Sequence, residues 1–137
     1  MLDRLQTTLK SSGCSFTLPR RTVFEKLAKN QSPMTTAALA EACAPDIDRA
    51  TVYRTVELFE RLGIINRMWH GFKSQIELSE IFTPHHHHAV CQQCGTSIDL
   101  VNQELEKLLA SIAKQHNFLA LSHVIELSGY CTSCQTK

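Results

Sequence analysis

The sequence predicts an α+β chain in two parts: a winged helix-turn-helix over residues 1–80 and, beyond a hinge at 81–84, a small α+β domain over 85–137. Three observations predict it. The first half carries helical-period apolar residues cut by caps and stops, and it ends in two short strand-like runs. After Glu80 the patterning changes to strands around one helical stretch. Two Cys-x-x-Cys pairs then bracket the second part, at Cys91/Cys94 and Cys131/Cys134.

Each element has a local reason. Residues 2–12 form a helical segment that Gly13 ends, and Pro19 opens a second helix with Val23, Leu27 and Ala28 at helical spacing. Thr35 caps a third, which turns Leu39 and Cys43 inward. Asp48 caps a fourth, "DRATVYRTVELFERLG", with Val52, Val56, Phe59 and Leu62 on one face and Gly63 as its stop. "IINRM" and "SQIEL" read as strands joined through the turn residues "WHGFK". In the second part "HHHHAVC" and "TSIDLV" flank a Cys-Gly turn, and residues 102–116 place Leu105, Leu108, Leu109 and Ile112 at helical spacing. "FLALSHVIELSGYC" alternates as a last strand, with Leu119, Leu121, His123, Ile125 and Leu127 on one face.

Composition excludes several classes. The N-terminal stretch has charges at Asp3, Arg4 and Lys10 and no apolar run fit for an export signal or a membrane span, so the expectation is a cytoplasmic protein with no membrane partner. Six cysteines without an export signal favour thiolate metal ligands over disulfides. The net charge of +1 conceals an asymmetry: eleven bases face nine acids up to Glu80, and three face four beyond it. That excess is small, so a nucleic-acid role depends on where the bases sit.

The four cysteines supply the donor set of a closed tetrahedral zinc site that would tie the last strand to the first. Redox thiols are the alternative. A zinc deaminase would need a His-x-Glu unit and a proline before its cysteines; His-x-Glu occurs nowhere and Val90 precedes Cys91. The histidine run His85, His86, His87, His88 follows strand geometry. Successive side chains point to opposite faces, so His85 and His87 would serve one site and His86 and His88 another; a solvated polar stretch is the alternative. His123, Glu106, Glu77 and Asp99 stand at suggestive places on neighbouring elements, although each alone reads as an ordinary core histidine or surface acid. On the fourth helix the inward face leaves Arg49, Tyr53, Arg54 and Glu57 outward near the N-terminal half, the end by which a recognition helix enters the major groove.

The segments "TLPR", "ATVYRTVELFERLGII", "HHHHAVCQQCG", "HVIELSGYC" and "CTSC", taken together and in this order, resemble the ferric uptake regulator family of metal-responsive bacterial repressors. The resemblance implies a DNA-binding winged helix joined to an α+β dimerisation domain with structural zinc. It implies three ligand sets: Cys91, Cys94, Cys131 and Cys134 for that zinc; His85, His87, Glu106 and His123 for a second site; and Glu77, His86, His88 and Asp99 for a regulatory site at the hinge. It places Tyr53 and Arg54 at double-stranded DNA, with Arg20, Lys10 and Arg21 at the backbone, and implies a homodimer reading an AT-rich inverted repeat. Two departures bear on the regulatory metal. No histidine precedes His70, so the hinge set lacks a ligand or recruits His70, and His87 stands where iron-responsive members often carry aspartate. Three imidazoles with one carboxylate suit zinc at least as well as iron, with manganese a further candidate. The run with "SHVIEL" also resembles zinc uptake regulators, and Asp99 resembles peroxide sensors. Outside this class, a histidine-rich metal carrier without DNA binding is the alternative.

Overall fold

The computed structural model describes residues 1–30, 32–70 and 73–135, with the side chains of His70 and Lys73 outside that description. The expected turn at Gly71 falls outside it as well. The chain divides into two units, Met1–Pro84 and His85–Lys137.

The first unit holds four helices and a hairpin: α1 (Leu2–Ser11), α2 (Leu18–Lys29), α3 (Thr36–Cys43), α4 (Arg49–Arg61), β1 (Ile65–His70) and β2 (Lys73–Leu78). The caps act as the sequence predicts. The Thr35 side chain accepts a hydrogen bond from the Ala38 amide at 3.1 Å, and Asp48 Oδ1 accepts one from Thr51 N at 2.9 Å. These bonds satisfy amides that the first helical turn leaves without partners. Gly63 has φ +66°, a left-handed conformation that stops α4 and that other residues adopt only at a cost. Apolar faces of the four helices and the hairpin close on one core, in which Leu5, Val23, Phe24, Leu39, Val52, Phe59 and Ile76 are fully buried. Cys43 is buried there too, and burial pushes its thiol pKa up.

β1 and β2 pair antiparallel from Ile65 opposite Leu78 to His70 opposite Lys73, and a bridge from Met34 to Ile76 adds a third backbone to the hairpin. Arg67 donates to both carboxylate oxygens of Glu60 at 2.8–2.9 Å, which clamps the hairpin to α4. Residues 79–83 fold back on this unit. Ser79 N donates to Ile64 O at 3.0 Å and Ser79 Oγ to Gly63 O at 2.7 Å, while the buried Phe82 ring meets Phe24 edge-on at 4.9 Å.

The second unit is a three-stranded sheet, order β4-β3-β5, with two helices: β3 (His87–Cys91), β4 (Ser97–Leu100), α5 (Gln103–Gln115), β5 (Glu126–Gly129) and α6 (Thr132–Gln135). β3 runs antiparallel to β4 and parallel to β5, so the last strand lies directly beside the first. Two expectations need correction. β3 begins at His87, so His85 and His86 precede the strand. The long last strand is confined to Glu126–Gly129. Among the described residues, 118–125 find no ladder partner; on the alternating face Leu119 and Leu121 are 82% and 91% exposed, whereas His123 and Ile125 are half-buried. No helix among the described residues is long and apolar enough to cross a membrane.

Candidate metal centres and nucleic-acid face

The four sulfurs converge through backbone geometry. Cys91 ends β3, where Gly95 N donates back to Cys91 O at 2.9 Å, and Gly95 has φ +75°. An added Cβ there would meet nothing, so this turn requires glycine for its backbone conformation and not for space. β5 delivers Gly129 opposite Cys91, and the short α6 turn folds Cys134 back toward Cys131 through Cys134 N to Cys131 O at 2.8 Å. One ligand atom from each of Cys91, Cys94, Cys131 and Cys134 lies within 4.8 Å of all the others. Cys94 and Cys131 sulfurs are 3.7 Å apart. Sulfurs bound at about 2.3 Å to a tetrahedral zinc stand about 3.8 Å apart, so the set fits that ion.

Electrostatics point the same way. Backbone hydrogen bonds from the Cys131 and Cys94 amides lower the Cys91 thiol to about 6, and the Thr96 hydroxyl, 3.1 Å from Cys94 Sγ, lowers Cys94. Cys134 is pushed up to about 12, first by its hydrogen bond to Cys131 and then by burial. Four adjacent sulfurs cannot all be thiolates unless a cation offsets their repulsion. The role of Thr96 was not read from the sequence; its position just after the knuckle glycine was the available signal.

The inner histidine cluster is as tight. His85 and His123 Nε2 atoms are 3.1 Å apart, and the Glu106 carboxylate lies 2.7 Å from His87 Nε2 and 3.1 Å from His123 Nε2. Imidazole nitrogens on a tetrahedral zinc at about 2.0–2.1 Å come about 3.3 Å apart, so this donor set also fits. Glu106 reaches it because Asn102 caps α5, its side chain accepting from Glu104 N and Leu105 N, which fixes the first helical turn over the sheet. The His87 hydrogen bond holds the Glu106 carboxyl below the usual range, with the histidine charges helping and burial opposing. Across the strand, the His86 and His88 rings stack edge-on at 4.8 Å, and His88 Nε2 lies 3.7 Å from Asp99 Oδ1 on the paired residue of β4. Glu77 is on β2 of the first unit, opposite Asn66. The side chain of His70, the candidate extra ligand, lies outside the described residues.

In the first unit, α4 turns Val52, Thr55, Val56, Leu58 and Phe59 inward. Arg49 and Arg54 stay exposed and Tyr53 half-buried. Arg49 donates to Tyr53 OH at 3.2 Å and lies 5.4 Å from the ring centroid, so these two share one patch at the N-terminal half of the helix. Arg54 donates to Ala50 O at 3.3 Å. Arg20 sits in the first turn of α2 and donates to the Ser15 carbonyl. The Arg67–Glu60 clamp was missed in the sequence, because the two residues are seven apart on different elements with no local pattern to link them.

The sequence pattern of the ferric uptake regulator family matches residues 11–128. The ferric uptake regulation protein of Yersinia pestis is 35% identical over 131 residues, covering 90% of this chain and 85% of that protein. The ferric uptake regulator of Vibrio cholerae superposes with a TM-score of 0.75 at 32% identity, covering 92% of this chain and 98% of that one. That of Helicobacter pylori superposes with a TM-score of 0.84 at 22% identity, over 98% and 91% of the two chains, and so bears on the fold. With this pattern spanning most of the chain and that degree of identity along it, the chain belongs to the ferric uptake regulator family.

Proposed function

We propose that this chain is a metal-responsive DNA-binding regulator that represses metal-uptake genes as a metal-loaded homodimer on an inverted-repeat operator. The observation that carries the proposal is the convergence of His85, His87, Glu106 and His123, in a chain whose first unit presents Arg49, Tyr53 and Arg54 on one helix. Residues 1–80 bind DNA, 85–137 bind metal and the partner subunit, and 81–84 join them.

Cys91, Cys94, Cys131 and Cys134 hold structural zinc. The inner cluster and the outer set of His86, His88, Asp99 and Glu77 hold regulatory metal. Three imidazoles and a carboxylate favour zinc in the inner cluster, whereas His88 beside Asp99 is a mixed nitrogen and oxygen environment open to iron or manganese. That carboxylate supports a second reading, a peroxide-sensing regulator in which iron occupies the outer set. Four protein donors at the cysteine and inner sites leave no open position at which a metal could activate water, which supports a non-enzymatic role. All six cysteines are free thiols, in keeping with a reducing cytoplasm. The exposed Leu108, Ile112, Phe118, Leu119, Leu121 and Val124 of the second unit support burial against a second copy.

Binding metal more tightly in the DNA-competent arrangement raises DNA affinity by the ratio of the two metal affinities. Fluorescence anisotropy of a labelled AT-rich inverted-repeat duplex, titrated with protein under zinc, ferrous iron or manganese, tests this. Equal affinity of the apoprotein and every loaded form sinks the switch. Arg54→Ala weakens duplex binding on the order of tenfold with metal content unchanged; a carrier without DNA binding shows no such loss.

A further inference from the structure

A two-stranded hairpin is marginally stable by itself, so the orientation of β1 and β2 is set by what ties them to the helices of the first unit. Away from the turn the tie is apolar: Ile65, Ile76 and Leu78 are buried in the core, and Met34 bridges Ile76. Toward the turn the described side chains Met68, Trp69, Ser74 and Gln75 are half-buried or exposed. At that end the tie is Arg67, which stands opposite Ile76 in the ladder. Its Nε and Nη2 donate to the Glu60 carboxylate at 2.8–2.9 Å and its Nη1 to Ser74 Oγ at 3.2 Å, so one guanidinium joins α4, β1 and β2.

Strand alternation puts Ile65, Arg67 and Trp69 on one face, and Trp69, opposite Ser74, is 68% exposed. Tyr53 and Glu57 of α4 line one recess with Arg67 and Ser74, so the hairpin adjoins the outward patch of the helix. Past Arg54, α4 exposes Glu57 and Glu60, whose charge repels phosphate. A duplex that meets Tyr53 and Arg54 therefore finds its next favourable surface on the hairpin and not farther along α4. An ion pair whose carboxylate is 40% exposed adds little to stability, whereas a planar fork held on both strands and the helix fixes direction.

We propose that Arg67 is a positioning residue for DNA binding: by gripping Glu60 it aligns the hairpin with α4, so that Trp69 lies against the sugar–phosphate backbone of the duplex that α4 meets. The proposal rests on the reading of α4 as the DNA-facing helix. It adds a contact that supplies affinity without reading base sequence.

The full-length protein is titrated with the labelled AT-rich inverted-repeat duplex under whichever of zinc, ferrous iron or manganese supports the tightest wild-type binding, and anisotropy is read together with Trp69 emission. Trp69 is the single tryptophan of the chain, so its emission reports the hairpin. The expected result is that the duplex quenches Trp69 in the wild type. Glu60→Gln then lowers affinity about fivefold and loses most of the quench, with metal content and first-unit hydrogen-exchange protection unchanged. That variant removes a negative charge from α4, so charge alone would tighten binding; equal or tighter binding by the folded variant overturns the proposal. Arg67→Gln loses the same affinity without changing the slope of log affinity against log salt. A slope smaller by about one makes Arg67 a phosphate ligand and overturns its positioning role. Arg67→Lys, which keeps the charge without the fork, guards against loss of folding and gives an intermediate loss. Wild-type protein that binds the duplex with Trp69 emission unchanged overturns the hairpin contact and leaves α4 standing as the DNA-facing helix. If the wild type binds the duplex under none of the three metals, the reading of α4 fails, and the proposal with it.

Discussion

The two units are stabilised by different means. The first closes a continuous apolar core around Phe24, Phe59, Leu39 and Ile76, each fully or almost fully buried. Burying side chains of this size stabilises by about 1.5–3 kcal/mol apiece, enough for a unit of this length to hold without a ligand. In the second unit the buried apolar residues among those described are Val90 and Cys91, and α5 buries none of its side chains. A small unit with so little apolar burial needs a further staple, such as a metal or a partner subunit. The contrast teaches that the first half carries its own apolar core, whereas the second half, with little buried apolar surface, depends for its stability on something beyond its own packing.

The strongest way to break this contrast is Cys94→Ser. The variant is expected to lose its zinc and the fold of the whole second unit, becoming monomeric, while amides of the first unit keep their hydrogen-exchange protection; elemental analysis with exchange mass spectrometry reads both. A zinc-free dimer with a protected second unit would refute the structural role. The converse change is Phe59→Ala, which should destabilise the first unit by about 3–5 kcal/mol without altering zinc content. Loss of zinc in that variant would show that the units are one cooperative structure.

A subtler test uses pH. Metal-free Cys134 keeps its proton throughout the neutral range, with a pKa near about 12, whereas Cys91 at about 6 has largely released its own by neutrality. Zinc must expel the Cys134 proton, so affinity is expected to rise as pH rises, by about tenfold per pH unit for each proton released. Chelator competition between pH 6 and 8 measures the slope, and a flat profile would exclude Cys134 as a thiolate ligand. The smallest effect is expected from Thr35→Ala, which removes the cap of α3 and lowers first-unit stability by about 1 kcal/mol, leaving second-unit exchange untouched.

Much of the first unit was legible because its signals are local. Thr35 and Asp48 cap within three residues of themselves, and the inward face of α4 follows from a helical period. The second unit was legible where chemistry is dense and opaque where pairing is distant. The alternating run Phe118 to Cys131 read as one strand, because alternation states which face is apolar and says nothing of whether a neighbouring strand exists to bond it. Glu106 looked like a surface charge on an amphipathic helix. Nothing near it in sequence shows that α5 lies over His85, His87 and His123.

By itself the sequence determined the two-part order, the helix caps, the thiol pairs and the separation of His85 and His87 from His86 and His88. These follow from caps, turns and periods that act over a few residues. Tertiary structure alone decided that β5 lies parallel to β3 and so brings Cys131 and Cys134 to Cys91 and Cys94, that Arg67 grips Glu60, and that Phe82 seals the turn at 79–83 against Phe24. Those outcomes depend on which distant surfaces bury each other, and that choice is made by the whole chain at once.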